Sequence, residues 1–489
     1  MKRYAPLIWL VFLSNPLLAR PTEDGLFAFS ESDEVVSYDT VEGNIRVHYS
    51  IAGPNVTVLT DNDQDGIPDF VQNVGEIAEL SFATFHDELN FLMPLSDGLL
   101  NIPNGGSAAF DFYLIDFNGN GDGYFGLDGC LQDSPACIGH MVVENDFVGY
   151  GYASLYTALE VVVSHEIFHA VQAAYRGDLP SWLSEGTAVW AEKRFDENSA
   201  DYMALASNYL EDPGRSLNNP PTGPVPAFSY GTALFWDFLT TRHNSRLLKT
   251  VFEKAVPFTE LTDDAWLTLV DDILKEEQDT LADAFVEFAQ WNLATGERSG
   301  AMNSYDYAEY LDPLKIEGFG NFLDDSIRLF PIAAQYFRLN HAGGPLYILV
   351  EEQIEDLAIS IHPVVGGALD GPVLASMDLL TDVPGNTAVH FSEEEDLDAG
   401  GYFLVLVRSE YQGQSKRVRF CAGTQEHVSK CQIDDEDEAL EPPPLPNAEE
   451  DEISPWGCHA TNSHYNLIFW GWVLWCGQKK RRPEDRLNF

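Results

Sequence analysis

The strongest chemical pattern in the chain is a run of five residues, His165-Glu166-Ile167-Phe168-His169. Histidines at i and i+4 fall on one face of a helix, where both imidazoles can reach a single metal ion. Glu166 lies between them, where a carboxylate can take a proton from water on that metal. Zinc needs a third protein ligand and leaves its fourth position open for water. Sixteen residues past His169, the stretch Trp182-Leu183-Ser184-Glu185-Gly186 offers Glu185 near the start of a second helix. A reversal at residues 177–180 brings that helix back against the first, so that Glu185 approaches the ion from a separate element.

Supporting roles fall to residues further along. A tetrahedral oxyanion needs a hydrogen-bond donor, and Tyr230, at the head of the next apolar stretch, is the candidate. Glu192 or Asp237 can hydrogen-bond a ligand histidine from behind. Residues 141–147, just upstream of the first helix, read as an edge strand able to pair with an extended peptide.

These groups need a scaffold, and the apolar pattern supplies its outline. Residues 34–60 alternate apolar and polar, as short strands or a hairpin do. Helical spacing runs from Phe70 to about Leu89, strands are expected at 108–116 and 141–147, and a long apolar helix covers 152–175. A further helix spans 182–194, and another begins at Tyr230. Helical patterns continue to about residue 311. Past Pro331 short Val-, Ile- and Leu-rich strands alternate with Gly, Asp and Pro turns, as in a small β-sandwich.

Two stretches, SHEIFHAVQ at 164–172 and LPSWLSEGTAVWAE at 179–192, resemble the peptidase MA-like, gluzincin-type zinc metalloproteases. More narrowly, residues 55–310 are similar to secreted bacterial members in which an Asp-rich segment and a helix precede the zinc domain. The resemblance implies His165, His169 and Glu185 as zinc ligands, Glu166 as catalytic base, and a peptide or protein as substrate. The histidine-to-glutamate spacing is shorter here than in thermolysin-like enzymes. The implied class is α+β: a zincin-like domain over 61–330, after a β segment at 20–60, and a C-terminal β-sandwich at 331–430.

Asp61, Asp63 and Asp65 alternate before Gly66, with Asp69 following. That is the arrangement of a calcium loop, with carboxylates at alternate positions and a glycine for the sharp turn. It resembles a thrombospondin type 3 repeat rather than a full EF-hand, since position 12 is Gln72. Residues 116–123 form a looser version, readable equally as a metal-free Gly/Asn loop.

Composition narrows the partners. Against 78 Asp+Glu stand 27 Lys+Arg, a net charge of −51 over 489 residues, which repels phosphate backbones and argues against nucleic acid. Apolar residues make up 45% of the chain, enough for a sizeable core. Lys2 and Arg3 before an apolar stretch ending at Ala19 have the layout of a secretory signal peptide, residues 1–19. An oxidising compartment suits the cysteines, with Cys130–Cys137 and Cys421–Cys431 as local disulfides. An acidic, Pro-rich linker (431–455) leads to a tail (456–489) whose ten apolar residues precede four basic ones. Ten residues fall short of a bilayer span, so the tail reads either as a sorting-type signal associating with a membrane, or as a membrane-interface peptide or a strand packed on the sandwich. The rival class is a non-catalytic, calcium-binding surface or adhesion protein. An intact Glu166 argues against it, because a scaffold has no use for that acid.

Overall fold

The computed structural model describes residues 20–23, 27–100, 104–222, 226–300, 304–340, 346–350, 356–365, 368–369, 387–391 and 399–431. The expected signal segment, nearly all of the acidic linker, and the tail with Cys458 and Cys476 lie outside them. The chain is α+β. β1 (Val35–Asp39) and β2 (Ile45–Ser50) form the expected antiparallel hairpin. α1 (Asp69–Phe82) follows and continues to Glu88 as a wider π-helical turn. β3 (Phe110–Ile115), β4 (Gly123–Cys130) and β5 (Cys137–Glu144) complete a sheet in the order β1-β2-β3-β5-β4. β3 runs parallel to β2 and β5, while β4 returns antiparallel to β5.

That order corrects the expectation for residues 141–147. β5 is interior, between β3 and β4, and the edge strand on that side is β4. The alternation pattern misses β4 because Gly123, Gly126 and Gly129 remove the side chains that would mark it.

Successive strand residues point to opposite faces. Val47, Phe112, Leu114, Phe125, Met141 and Val143 join the main apolar core with the helices. Tyr113, Ile115, Tyr124 and Val142 form a second cluster on the other face, where Phe27 and Phe29 pack over them.

α1 and α2 (Leu155–Tyr175) pack on the inner face, α3 (Ser181–Phe195) packs on α2, and α4 (Ala200–Glu211), α5 (Ala227–Gly231), α6 (Ala233–Arg242), α7 (Leu247–Ala255), α8 (Asp263–Glu276) and α9 (Leu281–Leu293) follow. Ser154 caps α2 by accepting from Thr157 N at 3.0 Å. Every residue from Val161 to Tyr175 is buried. The helix is apolar all round because it packs on β5 and β4 on one side and on α1 and α3 on the other.

The rest is strand: β6 (Gly318–Gly320), β7 (Leu323–Leu329), β8 (Ala333–Leu339), β9 (Leu346–Val350), β10 (Leu357–Val365), β11 (Ala368–Leu369), β12 (Thr387–Phe391), β13 (Ala399–Arg408) and β14 (Lys416–Gly423), closed by α10 (Gln425–Ser429). They form two sheets, β11-β10-β13-β8-β6 and β12-β9-β14-β7. β6 and β7 precede Pro331, so the strand region starts earlier than its change of texture. Ile359, Ile361, Leu404 and Leu406 of one sheet share an apolar cluster with Ile348, Val350, Val418 and Phe420 of the other. The opposite side of the first sheet, through Phe403, Val405 and Val407, joins the helical core. Tyr336 Oη donates to Ala289 O of α9 at 2.9 Å there. Cys130–Cys137 and Cys421–Cys431 are disulfide-bonded, as expected.

Candidate metal centre

The histidines and glutamate singled out by spacing come together. One ligand atom from each of His165, His169 and Glu185 lies within 4.8 Å of the others, and all three residues are buried. Glu185 Oε2 stands 3.4 Å from His165 Nε2 and 3.5 Å from His169 Nε2. Two ligand atoms each about 2.0–2.1 Å from a zinc ion, at a tetrahedral angle, are about 3.4 Å apart. The spacing therefore matches joint ligation better than direct hydrogen bonds, which would be shorter.

The other ring nitrogens are held from behind. His165 Nδ1 meets Glu192 Oε1 at 2.6 Å, and His169 Nδ1 meets Gln172 Oε1 at 2.9 Å. Gln172 in turn donates to Ser184 O at 2.8 Å and Thr187 Oγ1 at 2.7 Å, tying α2 to α3. With Nδ1 occupied, each ring turns Nε2 toward Glu185, which fixes the tautomer a ligand needs. Of the two acids expected in this role, Glu192 fills it. Asp237 does not, because it pairs with Lys193 and Arg194 at 2.8 Å and accepts from Tyr307 at 2.5 Å. Gln172 was missed by the sequence reading, although a polar side chain three residues past His169 in an apolar helix was its signal.

Glu166 sits beside the trio, with the backbone of Phe125 in β4 nearby. Its Oε2 is buried and makes no hydrogen bond among the described residues. β4 comes this close because Gly123 has no side chain. A Cβ there would lie 2.6 Å from Val162 Cγ1 and 3.4 Å from Glu166 Cγ. Gly186 does the same for α3, where a Cβ would lie 2.1 Å from Thr232 Oγ1. The junction of α5 and α6 thus packs directly on the helix that carries Glu185. Tyr230 lies in the last turn of α5, not at the head of the following helix, because the helix is interrupted at Thr232. Its ring centre is 6.0 Å from that of His165.

Burial and charge set the protonation of these groups. Burial pushes the Glu166 carboxyl above its usual range, against the pull of both histidines. Burial also works to raise Glu185, but the histidines outweigh it and hold its carboxyl down at about 2. Tyr230 is pushed well above its ordinary value by burial and by the nearby Glu185 and Glu166 carboxylates.

The Asp-rich loop is partly assembled. Asp61, Asp63 and Asp69 each place an oxygen within 4.8 Å of the others. Asp65 turns aside, accepting from Ile67 N and Gln72 Nε2, both at 2.8 Å. In the looser 116–123 loop the acids diverge. Asp116 caps Asn118 N at 2.7 Å, while buried Asp122 accepts from Tyr152 Oη at 2.6 Å. No protein-family model matches the chain, and none of the curated proteins matches it.

Proposed function

We propose that the protein is an exported zinc-dependent endopeptidase of the gluzincin type, with a zincin-like catalytic domain and a C-terminal β-sandwich. The observation that carries this reading is the convergence of His165 Nε2, His169 Nε2 and Glu185 Oε2, with Glu166 alongside and both Nδ1 atoms anchored. Two imidazoles and one carboxylate suit zinc and leave a position open. A zinc ion held there supplies Lewis acidity, polarising the scissile carbonyl and acidifying water.

The chain's own groups do the rest. Glu166 takes the proton of the attacking water and delivers it to the nitrogen of the leaving amine. Its raised carboxyl lies nearer working pH than an ordinary glutamate, which suits both steps. Tyr230 donates to the oxyanion as the carbonyl carbon becomes tetrahedral. β4, the edge strand beside Glu166, offers its backbone to an extended substrate. Asp61, Asp63 and Asp69 are assigned to calcium, and residues 456–489 to retention at a membrane surface.

Two substitutions test the assignment, since Glu166 and Glu185 have different duties. Glu166→Gln should keep about one zinc per chain while casein digestion falls by roughly 10²–10⁴-fold, the range for losing a general base. Glu185→Ala should instead lose zinc, because two imidazoles remain. Wild-type protein without zinc, or a Glu166→Gln variant that digests casein normally, would leave a non-catalytic surface protein as the better reading.

A further inference from the structure

On the sheet face away from the metal centre, Arg20 is almost fully buried, 3% exposed, in a pocket lined with acids. Its guanidinium is used from every side. Nε and Nη2 take both oxygens of Asp128 at 3.2 and 2.6 Å, and Nη2 also reaches Asp97 at 2.9 Å. Nη1 donates to Asp111 and, at 3.3 Å, to Tyr113 Oη. The carboxylates are themselves held: His48 Nε2 lies 2.8 Å from Asp111, and His140 Nδ1 lies 2.9 Å from Asp128. The pocket thus draws on β2, β3, β5 and β4, with Asp97 from the turn before β3. Only a planar five-donor fork fits such an arrangement, since an ammonium is a point charge with three donors.

A second anchor holds the same segment at the other end of this face. Phe27 packs 4.8 Å from Phe117 and 5.8 Å from Tyr124, ring centre to ring centre. Without this segment the sheet would expose an apolar strip and leave three buried carboxylates without their arginine. Removing one partner of a buried ion pair strands the other, and the loss far exceeds the worth of the pair. Even with Arg20 in place, burial pushes Asp97 up to about 6 against the pull of the guanidinium. β4 is an edge strand, Asp128 lies within it, and at Gly123 it packs directly against Val162 and Glu166 of α2.

We propose that the outer sheet face is a receptor for the segment beginning at Arg20, that its acidic pocket selects a guanidinium, and that docking of this segment sets β4 and Glu166. Processing that removed Arg20 would leave β4 loose, whereas a chain beginning at or before Arg20 can lock it. The inference does not rest on proteolytic activity, and its test uses no activity readout.

The test is hydrogen exchange of the β4 amides, with melting temperature, in the full chain. Arg20→Gly should speed exchange across residues 124–129 by about 100-fold or more. Guanidinium chloride at millimolar levels, far below denaturing ones, should restore part of that protection, and ethylammonium chloride should not. Arg20→Lys should fall between wild type and Arg20→Gly. Protection in Arg20→Gly equal to wild type would overturn the proposal, and so would equal rescue by the two cations. Should Arg20→Gly fail to fold, Arg20→Gln with Asp97→Asn and Asp128→Asn should fold, since Asp111, the one carboxylate of the three left in place, keeps its contact with His48 at 2.8 Å. Failure of that triple variant would also overturn it.

Discussion

The N-terminal sheet separates two buried groups of carboxylates that are neutralised in different ways. On the outer face Asp97, Asp111 and Asp128 close around Arg20, a cation the chain provides and cannot titrate. On the helical side Glu185 and Glu192 pair with histidines, whose charge depends on a proton. A site completed by arginine is finished when the chain folds. A site completed by imidazoles, with Nε2 atoms aimed at a carboxylate, can exchange its protons for a metal ion. The contrast separates an architectural cluster from a candidate catalytic one, although both are buried and acidic.

Matched substitutions should make the two clusters respond in opposite senses. Asp128→Asn takes charge from Arg20, so it should lower the melting temperature equally with and without added zinc. Glu192→Gln keeps an acceptor for His165 but removes a buried carboxylate. It should weaken zinc binding by about 10–100-fold while leaving the metal-free protein at least as stable as wild type. Equilibrium dialysis with zinc, run beside thermal melts, reads both effects. Zinc affinity unchanged in Glu192→Gln would break the distinction.

The two clusters also differ in how far the sequence betrays them. His165, Glu166 and His169 are legible because i to i+4 spacing on a helix is a local rule. Glu185 is legible because one short reversal brings it back. Arg20 is not, since its partners lie 77, 91 and 108 residues away and arginine is ordinarily a surface residue. β4 hid for a related reason. Its glycines exist to admit a neighbouring element, so they erase the pattern that announces a strand. The hairpin at β1–β2, the helix from Asp69 and both disulfides followed from patterns within a few residues. The sheet order, which moved the edge from β5 to β4, rests on long-range pairing that no local pattern encodes.

A third acidic group sits at the surface, and its effect should be smaller. Asp61, Asp63 and Asp69 converge in water, where screening softens their repulsion. A calcium ion bound only by the folded state stabilises it by about 2.7 kcal/mol at a hundredfold excess over Kd. Calcium should therefore raise the melting temperature, and Asp63→Ala should remove most of the rise. Identical melts in calcium and in chelator, for wild type, would remove the loop from the list of cation sites.

A pH-dependent effect belongs to Glu144, a carboxyl on the outer face that meets no arginine among the described residues. It accepts from Phe117 N at 3.0 Å, Tyr150 Oη at 2.8 Å and Asn145 N at 3.2 Å, all neutral donors. Burial outweighs them and lifts its carboxyl from 4.5 to about 7. Below pH 4.5 it is protonated folded or unfolded, so its full contribution to stability is present there. Between about pH 4.5 and 7 the unfolded chain ionises while the folded one resists, and stability is lost as pH rises through that window. Glu144→Gln keeps a carbonyl oxygen for Phe117 and Tyr150, gives up the contact from Asn145 N, and cannot ionise. Other buried acids titrate in the same range, Asp97 at about 6 and Asp122 at about 7. The quantity to measure is therefore the difference in melting temperature between variant and wild type at each pH. That difference should grow in the variant's favour from pH 4.5 to 7 and then level off. A difference that stays constant across the window would mean that Glu144 ionises as readily in the folded protein as in the unfolded one. Neutral donors would then suffice on the outer face without an arginine.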